Sequence, residues 1–262
     1  MLIIPTIIAL VLYSAASLLQ WQSLKGAGKA SRGQIRLLGA AGLAAHTLAV
    51  YLVLHPESGI HLGFFSVGSL ITWLVAGLVL LSSLRQQIDN LFIGVFPMAA
   101  LAAALAALFP DIGMAKHYAS GVIIHILLSI LAYSIFTVAI FQTLLLHQQE
   151  RALKHHHTRG LVSSLPPLQT MERLLFEMLG TGLALLTASL VTGFIFVDDL
   201  FAQQLAHKTV LSLLAWVLYA VLLAGRIFFG WRSRSAMRWT IGGFATLALA
   251  FFGSKLVLEM LV

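Results

Sequence analysis

Eight stretches of almost uninterrupted apolar residues dominate this chain, and each is long enough to cross a hydrocarbon core of about 30 Å as a helix. They cover approximately Leu2–Leu19, Ile35–Leu54, Gly63–Leu81, Phe92–Leu108, Ala119–Leu146, Leu174–Val197, Val210–Phe229 and Trp239–Leu261. Backbone in lipid must satisfy its own hydrogen bonds, which leaves helices or a closed barrel. No run alternates at period two in the manner of barrel strands. The expectation is therefore an all-α, polytopic membrane bundle of eight transmembrane helices. The fourth run, "FIGVFPMAALAAALAALF", is short and alanine-rich, and Pro97 is expected to kink it. Composition points the same way: 10% of residues are charged, 60% are apolar and mean hydropathy is +0.96. A soluble domain carries roughly 25% charged residues. No composition shift or internal repeat divides the chain, so residues 1–262 are expected to form one transmembrane domain.

The basic residues orient the bundle. With eight spans, alternate connections share a side. One set holds Lys25, Lys29, Arg32, Arg36, Arg85, Arg151, Lys154, Arg159, Arg173, Arg226, Arg232, Arg234 and Arg238, thirteen of the sixteen Lys and Arg. The other set holds Lys116, Lys208 and Lys255. Lys and Arg accumulate on the cytoplasmic side, which places the first set inside and both termini outside. The first run has no basic residue ahead of it and cations just after it. That pattern fits a retained helix better than a cleaved leader.

Polar groups inside a membrane are costly and require a reason. The nine carboxylates (Glu57, Asp89, Asp111, Glu150, Glu172, Glu177, Asp198, Asp199 and Glu259) all lie in connections or within about two turns of a helix end. An ion-coupled transporter usually carries one near the midplane, so this census counts against ion coupling. The chain has no Cys, which excludes disulfides and thiolate ligands. Histidine is placed differently. His46 lies eleven residues into the second run, about 17 Å from its inner edge. His125 lies two turns inside the outer end of the fifth. His207 opens the seventh, and His55, His61 and His117 lie in outer connections.

Neutral imidazole is tolerated in an apolar medium and ligates heme iron. Heme is a flat apolar ring with two anionic propionates, suited to histidines just below an interface and cations just above it. Two of the three outer cations neighbour a histidine, in Lys116–His117 and His207–Lys208. This pattern makes His125 and His207 candidate axial ligands, Lys208 and Lys116 candidate propionate partners, and His46 a deeper ligand or support. The bland alternative also fits: an interfacial His can be an amphipathic anchor, and Lys at a helix end can snorkel. A hydrogen bond to a helix carbonyl or to Ser/Thr would suffice for His46. Gly121, His125, Ser129 and Tyr133 recur at spacing four and share one helix face. Such a stripe serves helix packing as readily as it serves a ligand.

Other signals are weaker. "KHHHTRG" reads as a solvated polar loop, with a metal-binding tract as the alternative. "GWRSRSAMRW" combines Trp and Arg in the pattern of an anionic-lipid anchor, so the net charge of +7 needs no nucleic acid. "PPLQTMERLLFEMLG" opens as an interfacial helix, with Pro167 at its start and Glu172 in an early turn. No nucleophile elbow, metalloprotease helix or phosphate-binding glycine loop is present.

The stretches "HILLSILAYSIF", "HKTVLSLLAWVLYAVLLAGR", "GWRSRSAMRWTIGGF" and "FFGSKLVLEML" resemble the CcsA/HemX-type cytochrome c assembly family of heme-handling membrane proteins. The likeness runs in order along nearly the whole chain and is strongest from about residue 120. It implies that histidines near the outer surface, at the positions of His125 and His207, hold heme b, with His46 matching the histidine of an early span. The tryptophan-rich outer signature of the family's heme-ligating synthetases has no counterpart here, since "VDDLFAQQLA" precedes His207. The resemblance therefore implies a non-enzymatic, heme-binding assembly role in a bacterial inner membrane, with lipid, heme and cytochrome maturation proteins as partners. Two other classes remain open: an exporter of a small solute, and a structural subunit of a membrane complex that binds no cofactor.

Overall fold

A computed structural model of the chain describes residues 2–26, 30–55, 62–86, 88–109, 118–155, 165–197 and 206–253. The described residues are built from eight principal helices: α1 (Ile3–Leu24), α2 (Arg32–Leu54), α3 (Phe64–Ser83), α4 (Phe92–Leu108), α5 (Ser120–Lys154), α6 (Leu168–Phe196), α7 (Ala206–Phe229) and α8 (Ser233–Ala248). A 3₁₀ turn, Asp89–Leu91, leads into α4, and a π-helical segment, Leu249–Gly253, continues α8. With the 3₁₀ turn counted as part of α4 and the π-helical segment as part of α8, all eight are long and apolar enough to cross a membrane. Several match the apolar runs closely. α1 runs five residues past its expected end, and α8 begins six residues before its apolar run, whose residues 254–261 lie outside the described ones. α5 and α6 are the longest, with 35 and 29 residues. At 1.5 Å per residue they reach about 52 and 43 Å, well beyond a hydrocarbon core. Each overruns its apolar stretch at the arginine-rich end. Pro97 lies inside α4 without ending it.

The chain divides into two compact units, Met1–His117 with Arg151–Pro166, and Tyr118–Glu150 with Pro167–Val262. In the first unit, α1 packs against α2 and α4, and α3 packs against α4. Close approach depends on Gly39 and Gly42, where an added Cβ would lie 2.5 Å from Phe96 and 3.0 Å from Tyr13. Tyr13, Phe96 and Phe92 form a continuous stack, with ring centroids 5.1 and 4.5 Å apart. At the arginine-rich end, Ser31 and Gln34 form a reciprocal capping box at the start of α2, which satisfies two otherwise orphaned amides. One turn on, Arg36 grips the buried Asp89 carboxylate through two bonds of 2.7 and 2.9 Å. Gln20 donates to Asn90 beside it.

In the second unit, Phe136 of α5 stacks face to face on Tyr219 of α7, with centroids 3.9 Å apart and 4° between planes. Gly182 of α6 and Gly243 of α8 make room for the pair, since a Cβ on either would fall within 2.8 Å of a ring carbon. α6 and α7 are joined midway by Trp216 Nε1 donating to Thr187 Oγ1 at 2.8 Å. At the arginine-rich end, Glu172 is almost fully buried and accepts from Arg226 Nη1 and Arg232 Nη2, both at 2.9 Å. The two clamps follow one rule: a carboxylate removed from water must be matched by a cation and hydrogen bonds.

Candidate functional site

His125 sits on the second turn of α5 and turns its ring onto α6. Its Nδ1 lies 2.7 Å from the backbone carbonyl oxygen of Ser189. A carbonyl can only accept, so Nδ1 carries the proton and donates it. In the neutral ring this leaves the lone pair on Nε2, for which no hydrogen bond occurs among the described residues. The ring can lie this close to the α6 backbone because residue 193 is glycine. An ideal Cβ there would come within 3.0 Å of Cε1 and 3.1 Å of Nδ1. Hydroxyls secure the surroundings: Ser129 donates to the His125 carbonyl at 2.8 Å and pairs with Ser189 Oγ at 2.6 Å. Thr192 Oγ1 donates to the Ser189 carbonyl at 2.9 Å. Outward of this level, Gly121 admits the ring of Phe196, whose nearest carbon would be 2.4 Å from an added Cβ.

The arrangement matches what a metal-binding imidazole requires. Such histidines usually donate their second ring N–H to a carbonyl or carboxylate, which fixes both tautomer and ring direction. The partner of His125 is a carbonyl within a membrane helix, and this carbonyl already closes the ordinary helical bond.

His207 lies one residue into α7 and its side chain is exposed. Pairing α7 with α6 at Trp216 and Thr187 and stepping outward nine residues on each sets His207 level with Phe196. His125 lies level with Ser189 and Gly193, so the two imidazoles share one end of the unit at heights about 7 Å apart along the helices. The structure brings them to a common end and not into direct contact. Lys208 follows at the same end, half-buried and engaged with a neighbour. Lys116 lies outside the described residues, as do His61, His117, His156, His157 and the stretch 198–205.

His46 belongs to the first unit and is fully buried. Its Nε2 meets Ser69 Oγ at 2.9 Å and its Nδ1 meets Tyr13 Oη at 3.4 Å. Both nitrogens are thus occupied, and the Ser partner matches the simpler expectation for a buried imidazole. His55 stacks on Tyr51, with centroids 4.8 Å apart, and closes the α2 terminus. Among the described residues, no three His, Asp or Glu side chains gather as a metal cluster; an axial heme ligand requires one or two imidazoles.

Sequence reasoning missed both arginine clamps. Glu172 reads as an acidic residue in an early helical turn, and Asp89 reads as part of a connection. Their partners lie 54 and 60 residues away for Glu172 and 53 for Asp89. Nothing local marked them out: Asp89 follows Arg85, Gln86 and Gln87 and precedes Asn90, and Glu172 sits between Gln169–Thr170 and Arg173, so each reads as an ordinary polar helix end.

Fold and site together define a class: a multi-span helical membrane protein with an oriented imidazole at one end of a four-helix unit and an arginine-clamped carboxylate at the other. The sequence profile described as Cytochrome C assembly protein matches residues 34–262. The chain belongs to that family. Over 258 residues it is 30% identical to Inner membrane protein YpjD of Escherichia coli (strain K12), covering 97% of this chain and 98% of that protein. The same figures hold for YpjD of Escherichia coli O157:H7. An Azospirillum brasilense protein, "Uncharacterized 28.8 kDa protein in nifR3-like 5'region", is 33% identical over 141 residues, 53% of this chain and 52% of that protein. No solved structure matches the chain.

Proposed function

We propose that this chain is an inner-membrane protein that binds heme b noncovalently and assists the assembly of cytochrome c or another hemoprotein. The observation that carries the reading is the hydrogen bond from His125 Nδ1 to the Ser189 carbonyl, which presents Nε2 as a ligand of fixed direction. His125 and His207, which lie at the same end, would hold the iron. Lys208 and Lys116 meet the propionates. Bound heme supplies a redox-active iron; the chain's own residues hold it, orient it and shield its ring from water. His46, with both nitrogens hydrogen-bonded, supports the first unit and is not assigned to iron. The arginine-rich connections face the cytoplasm, so the heme end and both termini face outward.

Placement also separates this reading from ion-coupled transport. Among the described residues, the buried carboxylates Asp89 and Glu172 lie at helix ends, each bound by arginine. The test is optical. Purified protein should show a Soret band and a b-type pyridine hemochrome, and His125→Ala should abolish or strongly weaken both. His207→Ala should shift the bound spectrum. Spectra unchanged by both substitutions would overturn the ligand assignment.

A further inference from the structure

The loop joining α7 to α8 is a folded platform. Gly230 adopts φ +64°, a left-handed conformation that glycine accepts readily, and the chain reverses so that Trp231 lies flat on Gly225. A Cβ at residue 225 would sit 2.4 Å from the indole. Trp231 N–H donates to the Gly225 carbonyl at 3.1 Å, and the Trp231 carbonyl accepts from Arg226 Nη1 at 3.2 Å. The indole stacks on Trp239 of α8, with centroids 5.5 Å apart. Glu172 engages Arg226 and Arg232 from beneath. Two indoles are thereby fixed at the level where Trp concentrates in membrane proteins.

Arg234 and Arg238 stand beside this platform, one turn apart on α8, both exposed. Neither has an ion pair or hydrogen bond among the described residues. Like charges at this spacing repel. The exposed stripe that begins with them continues through Ile241, Ala245 and Leu249, at spacings that keep one helix face. Two cations therefore head an apolar track that runs about 12 Å from Ile241 to Leu249. Next to it, Ile227, Phe228 and Phe229 are each at least 75% exposed. Cations above, indoles at the boundary and an apolar track below complement a single amphiphile: an anionic head, then acyl chains.

We propose that Arg234 and Arg238, with the Trp231–Trp239 platform, form a binding site for an anionic phospholipid whose acyl chains lie along the Ile241–Ala245–Leu249 stripe and the exposed end of α7. The site is distinct from the imidazole end of the unit and does not depend on heme. Each surface cation contributes roughly 1 kcal/mol to anionic-lipid binding, which corresponds to about fivefold per arginine and about thirtyfold for the pair.

The full chain, reconstituted in nanodiscs of phosphatidylcholine, is titrated with phosphatidylglycerol carrying brominated acyl chains, and quenching of tryptophan fluorescence is followed. R234Q/R238Q should weaken the half-saturation point by about thirtyfold. R32Q/R85Q, which removes the same charge from two other exposed arginines of the basic connections, should leave it within about twofold. Equal loss in the two variants, or no loss in the first, overturns the proposal, because the effect would then be that of net charge alone or of no site at all. Soluble glycerophosphate should fail to compete. Full competition would show a phosphate site without a lipid track and would also overturn it. Helical circular dichroism of both variants should match that of the parent chain, since all four arginines are exposed.

Discussion

Replacing Gly193 with alanine separates the orientation of His125 from the stability of the helix that orients it. The added Cβ would lie 3.0 Å from Cε1 and 3.1 Å from Nδ1. Carbon contacts are most favourable at about 3.5–4.0 Å, so the ring must retreat by roughly 0.5 Å. That movement stretches the 2.7 Å bond to the Ser189 carbonyl toward the long limit of such bonds, about 3.2 Å. Two effects on stability then oppose each other. Alanine is favoured over glycine in a helix interior by about 1 kcal/mol, and the crowding costs about the same. The melting temperature should therefore hardly change. Heme affinity has no such compensation. Loosening the group that orients a metal-bound imidazole costs about 10- to 100-fold in affinity. Gly193→Ala should thus bind heme at least about tenfold more weakly while melting like the parent, and His125→Ala should retain no comparable site. Hemin titration by absorbance, paired with thermal circular dichroism in the same detergent, reads both quantities. If Gly193→Ala keeps the parent affinity while His125→Ala loses it, α6 does not orient the ligand and the reasoning fails.

Three further outcomes follow from packing and pairing. Gly180→Ala, with nothing within 4 Å of the new Cβ, should stabilise α6 by up to about 1 kcal/mol. Gly182→Ala should destabilise by about 1–3 kcal/mol, because Phe136 is held between it and Tyr219 and cannot retreat; thermal melts of the two variants should move in opposite directions. Glu172→Gln should cost about 1–3 kcal/mol, below the value for a fully buried pair because Arg226 and Arg232 keep partial exposure, and denaturant titration should show it. His46→Phe should lower stability by roughly 1–3 kcal/mol through its two lost hydrogen bonds and altered packing. Its heme spectrum should match the parent's, and loss of that spectrum in a folded variant would return His46 to the iron.

The eight spans were legible in the sequence because lipid imposes a strong compositional constraint, and the structure has eight helices that satisfy it. The ends of α5 and α6 were less legible. Hydropathy registers the membrane boundary, whereas the helices persist into water through "HQQERALK" and "LQTMER". For the candidate site, the position of His125 could be read but the contact that orients its ring could not. The acceptor is the carbonyl of Ser189, 64 residues away, and a backbone carbonyl has the same signature at every position. The glycine that admits the ring offered the better clue. Gly193 lies in an apolar stretch where its helix propensity is poor, and the close approach of His125 accounts for its presence.

The imidazoles of His46 and His125 differ in their hydrogen-bond partners as well as in burial. A neutral imidazole has one donor and one acceptor nitrogen. His46 meets hydroxyls on both sides, and each hydroxyl can donate or accept, so the ring is satisfied in either tautomer. Nothing remains to bind a ligand without breaking a buried bond. His125 meets a carbonyl on one side only, which commits Nδ1 as donor and leaves the acceptor nitrogen without a protein partner among the described residues. A lone pair without a protein partner is available to a donor or a metal. Burial alone would rank His46 first, since it is 0% exposed. Counting lone pairs reverses the order and makes the α5–α6 contact the first place to test for a ligand.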